Sequence, residues 1–214
     1  QQYFFCSASL QDIIKKFGQN HNDFSEFADF VTIQLNDTHP VISIPELIRL
    51  LELEGVEFKT ALEIAKKVFN YTNHTVLPEA LEKWDMKFIR KICPQVAAII
   101  TKINAEFKKE LKGQHSELLI LQNGTVNMAY LACYCSRYIN GVAEIHTEIL
   151  KRDVLNGFYN LYPQKFQNKT NGITQRRWLA LCNPKLSALI TELLGSKRWI
   201  TDLTQLKKLE KYAD

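Results

Sequence analysis

The sequence predicts a helix-rich α/β fold. Long stretches carry apolar residues at helical spacing between start and stop signals. A short β-rich apolar run, Phe30-Val31-Thr32-Ile33-Gln34-Leu35, reads as a buried strand. Helices and such strands alternate, which is the pattern of a layered α/β domain. The chain has 214 residues, 46% hydrophobic, enough for one large domain or two small ones with a real core.

Each element follows from a local signal. Ser7 or Ser9 can cap a first helix carrying Leu10, Ile13, Ile14 and Phe17, with Gly18 as its stop. Residues 18–26 are polar and read as a loop. The strand comes next and ends in the polar turn Asn36-Asp37-Thr38-His39-Pro40. Ser43-Ile44-Pro45-Glu46 has the form of a capping box for a helix with Leu47, Leu50 and Leu51, stopped at Gly55. Thr60-Ala61-Leu62-Glu63 repeats that form, and its helix runs on to Phe69 and into a second polar turn at residues 71–75. A long helix starts at Pro94, with Val96, Ile99, Ile100, Ile103, Phe107 and Leu111 on one stripe before Gly113. Asn123-Gly124 marks a turn between residues 118–122 and 125–130, either a hairpin or a strand-turn-helix passage. Gly141-Val142 precedes a helix with Ile145, Ile149 and Leu150. Residues 163–175 read as a loop, and two further helices are expected near 176–194 and 202–212.

Composition narrows the function classes. The net charge is +4 and the basic residues are mixed with acidic ones along the chain, so the stripe or tail of a nucleic-acid binder is absent. No run of about 18 apolar residues occurs, so no membrane span is expected. The five cysteines (Cys6, Cys93, Cys133, Cys135 and Cys182) include no CxxC pair and read as reduced, packed thiols of a cytoplasmic protein. The first residues lack the features of a secretory leader, and both ends read as if cut from something longer.

Five Asn-x-Thr triplets, at Asn36, Asn70, Asn73, Asn123 and Asn168, would be glycan acceptors in a secreted protein. The cysteine pattern argues against that compartment. The histidines are not at zinc-ligand spacing, so no metal is expected. His39 and His74 stand out by their company: each follows an apolar segment and sits in a turn with Asn and Thr. Turns at strand ends are where α/β proteins place ligands, and Asp, Asn, His and Thr offer the mixed donors and acceptors that sugar hydroxyls need. The same residues are also good turn formers, and local reasoning leaves these two readings level. Arg176-Arg177-Trp178 alone reads as a solvated helix start.

Several stretches together resemble one family. They are Leu35-Asn36-Asp37-Thr38-His39-Pro40, Ile44-Pro45-Glu46-Leu47, Tyr71-Thr72-Asn73-His74-Thr75-Val76-Leu77-Pro78-Glu79-Ala80-Leu81-Glu82-Lys83-Trp84, Asn140-Gly141-Val142-Ala143-Glu144-Ile145-His146, Lys169-Thr170-Asn171-Gly172-Ile173-Thr174 and Arg176-Arg177-Trp178-Leu179. In order and spacing the chain is similar to the α-glucan phosphorylases, which comprise the glycogen, starch and maltodextrin enzymes. Gln175 departs from the proline that the family usually carries.

The resemblance implies part of a GT-B architecture, two Rossmann-like lobes around a cleft. Residues 1–175 would be the later part of the N-terminal lobe, and 176–214 the crossing toward the other lobe. It implies phosphorolysis of α-1,4-glucan to α-glucose 1-phosphate by a homodimeric parent with pyridoxal phosphate. His74 would line the glucosyl pocket through its main-chain carbonyl and is the catalytic candidate. Asn171 would bind the 6-hydroxyl side and Val142 would pack nearby. Asp37, His39, Glu79 and Ala80, with Glu82, would line the neighbouring side toward the acceptor sugars. Trp178 would lie on the cofactor side. The family's Schiff-base lysine motif does not occur in these residues, so this chain alone is expected to bind no pyridoxal phosphate and turn nothing over. A stand-alone carbohydrate-binding module and a ligand-free structural domain are the rival readings.

Overall fold

The computed structural model describes residues 1–77, 79 and 81–213. Residues Gln1–Thr170 and Asn171–Asp214 form two separately packed units.

The first unit is built on a four-stranded parallel sheet. Its strands are β1 (Ile33–Asn36), β2 (Phe69–Thr72), β6 (Ile139–Gly141) and β7 (Phe166–Asn168), and their order in space is their order in sequence. Ile33 pairs with Phe69, Tyr71 with Ile139, and Ile139 with Phe166. The inward side chains Leu35, Phe69, Tyr71 and Ile139 are buried, which is what holds such short strands in a sheet. A second, antiparallel sheet joins β3 (Lys83–Asp85), β5 (Thr125–Asn127) and β4 (Leu121–Gln122). Its hairpin turns on Asn123 and Gly124, both at positive φ, 49° and 77°. That geometry belongs to an Asn-Gly turn of the type that matches strand twist.

Helices carry the core. They are α1 (Gln2–Gly18), α2 (Phe27–Phe30), α3 (Ser43–Leu53), α4 (Phe58–Val68), α5 (Met86–Ile92), α6 (Pro94–Glu110), α7 (Met128–Cys135), α8 (Glu144–Ile149) and α9 (Asn156–Leu161). Helix α3 is central, packed by α1, α4 and α6, and its residues 43–48 are all buried. Helix α7 covers β2, and α8 covers β6 and β7. The parallel crossovers therefore run through α3 and α4, then through α5–α7, then through α8 and α9, as parallel strands require.

The second unit holds a π-helical turn over Arg176–Leu181, helix α10 (Pro184–Leu194) and 3-10 segments Lys197–Ile200 and Leu203–Tyr212. Asn183 caps α10 by accepting from the Leu186 N–H, and Gly195 ends it in the left-handed region. Trp199 is fully buried and donates from Nε1 to Thr191 Oγ1 at 3.1 Å.

Several local expectations are corrected. Neither capping box forms. Helix α3 begins after Ile42, and the Glu46 carboxylate turns inward to Ser7, Tyr3 and Arg49. Helix α4 begins two residues before Thr60, after Glu57. The first strand is shorter than expected, because Phe30 closes α2. The segment read as one helix near 176–194 is interrupted at Asn183-Pro184. Cys133 and Cys135 are buried as expected, but Cys182 is exposed.

Candidate functional site

The parallel strands point their carboxyl ends the same way, and the polar turns follow directly from them. Asp37 to His39 follow β1, Asn73 to Thr75 follow β2, and Val142 follows β6. Backbone hydrogen bonds knit these turns beyond the sheet. The Asp37 N–H donates to the Thr72 carbonyl, the Asn73 N–H to the Asn140 carbonyl and the Lys169 N–H to the Gly141 carbonyl. Side chains add a second row: Gln34 Nε2 donates to Thr72 Oγ1, and Thr72 Oγ1 to Asn140 Oδ1, each at 2.8 Å.

His74 is exposed and its turn is held from below by Asn73, which is fully buried. Asn73 Oδ1 accepts from the Thr75 N–H at 3.0 Å, and its Nδ2 donates to the Tyr71 hydroxyl at 3.1 Å. This Asx turn projects His74 outward while its neighbour is anchored. Burial also excludes Asn73 as a glycan acceptor.

Asp37 adopts the left-handed region at φ 63°, a conformation Asp tolerates because its short side chain bonds locally. Its Oδ1 accepts from the Thr38 N–H at 2.7 Å. His39 is exposed, with Nδ1 3.2 Å from Glu82 Oε2. Thr38 Oγ1 donates to the same oxygen at 2.8 Å, and Gln2 Nε2 donates to Glu82 Oε1 at 3.2 Å. Burial opposes ionisation of Glu82, but the Thr38 and Gln2 hydrogen bonds and His39 outweigh it and lower its pKa. Glu82 is thus an ionised hub that ties the β1 turn to the start of the chain. Glu79 is exposed, and Ala80 lies outside the described residues.

Behind Val142 stands a residue to which local sequence reasoning gave no role. The Val142 N–H donates to His146 Nδ1 at 3.0 Å, and His146 Nε2 is buried without a hydrogen-bond partner among the described residues. Burial lowers the His146 pKa, with the Thr75 backbone and Asp37 pulling it upward. Only its place three residues into a helix that follows Gly-Val could have marked it in the sequence.

A sequence model of the carbohydrate phosphorylase family matches residues 1–214. The chain belongs to that family. Over its whole length the phosphorylase chain is 44% identical to the H isozyme of alpha-glucan phosphorylase from Triticum aestivum. It is 47% identical to glycogen phosphorylase 2 of Dictyostelium discoideum, and 45% to the cytosolic alpha-glucan phosphorylase 2 of Arabidopsis thaliana. It covers 28%, 23% and 28% of those proteins, so it spans about a quarter of the length of the relatives it matches.

The fold of the phosphorylase chain brings Asp37, His39, His74 and Val142 to one edge of one sheet. Asn171 and Trp178 are both exposed residues of the second unit. A buried lysine of lowered pKa would suit a Schiff base with an aldehyde cofactor. Lys165 meets the first condition, since burial lowers its pKa. Its Nζ, however, donates to the Cys133 and Tyr134 carbonyls at 3.1 and 2.9 Å and stands 4.6 Å over the Tyr162 ring, closing the carboxyl end of α7. That geometry does not fit a pyridoxal phosphate site. Among the described residues no group of His, Cys, Asp and Glu is placed to hold a metal ion, and no helix is long and apolar enough to cross a membrane.

Proposed function

We propose that this chain forms the glucosyl side of the active site in an α-1,4-glucan phosphorylase. The observation that carries the reading is the gathering of Asp37, His74 and Val142 on three successive turns at the carboxyl ends of parallel strands, where such sheets receive ligands. In this reading residues 1–175 are the later N-terminal lobe of a GT-B enzyme and 176–214 lead toward the second lobe. The parent is a cytoplasmic homodimer, a location that the name of the Arabidopsis thaliana relative favours.

The reaction transfers a glucosyl unit from the glucan end to inorganic phosphate. The bond from the anomeric carbon to the glucan oxygen breaks, the inorganic phosphate gives up a proton to that oxygen, and a phosphate oxygen bonds the same carbon with retention. Pyridoxal phosphate would be held by residues outside this chain, and its phosphate would supply proton-transfer chemistry there. Positive charge develops on the sugar ring in the transition state. The His74 carbonyl, fixed by the buried Asn73, offers a preorganised dipole to that charge. Asn171 takes the 6-hydroxyl and Val142 packs against the sugar. Asp37, His39 and Glu79 line the acceptor side, and Trp178 faces the cofactor side.

The test compares the longer polypeptide that carries these residues with the 214-residue chain. Given maltopentaose and phosphate, the longer protein should release α-glucose 1-phosphate and show the cofactor's absorbance, and the chain alone should do neither. Release by the chain alone would overturn this assignment. Calorimetric heat with maltopentaose on the inactive chain would point instead to a sugar-binding module.

A further inference from the structure

Helix α8 opens without a side chain capping it from Ala143. His146, the third residue of the helix, reaches back to the Val142 N–H at 3.0 Å. This is the task that the third helical residue performs in a capping box, moved one residue outward. It also assigns the ring. Nδ1 accepts, so the neutral ring carries its proton on Nε2. The packing behind it is tight: a Cβ on Gly141 would stand 3.0 Å from His146 Nδ1 and 2.5 Å from Thr147 Oγ1.

The other end of the ring is a buried N–H donor with no partner among the described residues. Buried donors are nearly always paired, so one left open asks what closes it. The groups acting on it are the Thr75 backbone, His74 and Asp37. All three belong to the turns after β1 and β2, and of them the Thr75 backbone and Asp37 pull the ring's pKa upward, as acceptors do.

We propose that His146 is a positioning residue of the sugar pocket, holding the Val142 main chain through Nδ1 and closing through Nε2–H on the Thr75 carbonyl. The ring then fixes the peptide next to the His74 carbonyl, the dipole that faces the sugar. This inference rests on the glucosyl-pocket reading above for its consequence, and on the ring's surroundings alone for its geometry.

The two parts are tested separately. Nitrogen-15 labelling of the five histidines, with His146→Gln to assign the signal, locates the ring proton in the 214-residue chain. The expected result is a neutral ring protonated on Nε2 that stays neutral below about 6.5, where an ordinary histidine takes its second proton. A proton on Nδ1 would overturn the proposal. In the longer polypeptide, His146→Ala should lower kcat on the order of ten- to a hundredfold, with KM for the glucan changed far less. His146→Asn keeps an acceptor for Val142 but has no donor at the far end. It should melt like wild type and still lose kcat, whereas His146→Gln, which restores that donor, should recover part of the loss. Wild-type kcat in the Asn variant would sink the two-ended role. If the unaltered polypeptide shows no phosphorolysis, the functional reading fails, and the ring proton still decides the geometry.

Discussion

Asn73 is fully buried and bonded on every side: its N–H to the Asn140 carbonyl, its Oδ1 to the Thr75 N–H and its Nδ2 to the Tyr71 hydroxyl. Replacing it by Ala leaves the Thr75 N–H and the Tyr71 hydroxyl without their partner. Asn73→Ala should therefore cost about 2 kcal/mol in urea unfolding. Glu46 presents a sharper case. It is fully buried, and it accepts two hydrogen bonds from Arg49 at 2.7 and 2.8 Å, one from Ser7 at 2.7 Å and one from Tyr3 at 3.2 Å. Glu46→Ala strands a half-buried guanidinium and should cost about 3–5 kcal/mol by the same measurement. Glu82 adds a pH dependence. Its folded pKa lies below the unfolded value, so its contribution is present above the unfolded pKa and is lost as pH falls through the folded one. Acid titration of stability should show a component below the ordinary glutamate value of 4.5 that Glu82→Gln removes. At this scale the sequence showed which turns to watch, because Asp37, His39 and His74 each follow an apolar run. It did not show Glu82 or His146 as hubs: Thr38, the partner of Glu82, lies far off in the chain, and the groups that act on His146 sit in the turns after β1 and β2.

Between elements, β6 and α8 meet through a glycine. A methyl on Gly141 would stand 2.5 Å from Thr147 Oγ1 and 2.9 Å from Thr147 Cα, so the helix or the strand must move. Gly141→Ala should cost about 1–3 kcal/mol. A thermal shift assay that finds it neutral would mean that α8 sits less firmly than this packing requires. The long helices were readable from sequence: the stripe from Val96 to Phe107 is the buried face of α6. The short strands were not. β2 begins directly at the end of α4 with no turn residue between them, so the helical pattern in the sequence runs on through Phe69. β7 is three residues with one buried side chain, Phe166, inside a polar segment. As an edge strand it needs an apolar residue on one face only, and that leaves no alternation to detect. The apparent capping boxes misled for a related reason. Local hydrogen bonds compete with tertiary ones, and the tertiary demand on Glu46 prevails.

On the scale of the whole chain, the change of packing unit after Thr170 falls in a polar stretch. Residues 168–174 are exposed, and from Lys169 to Thr174 the backbone has no helix or strand. The Lys169 N–H bonds the Gly141 carbonyl, and it is the last backbone hydrogen bond that this stretch makes to the sheet. Proteases cut where backbone is exposed and weakly bonded, and packed elements resist until they open. Other lysines are exposed too, but most lie on helices such as α1 and α6, whose backbone groups are already paired. Trypsin at low ratio should therefore cut first after Lys169. The larger product, residues 1–169, keeps the sheet and the cluster running from Leu10 to Phe166, so it should unfold cooperatively in urea. Early cuts inside α6, or a 1–169 product without a cooperative transition, would show that the first unit draws its stability from residues beyond Thr170. The turns after β1, β2 and β6, proposed above to face the sugar, all lie within that product, so its fold alone should suffice to position Asp37, His74 and Val142.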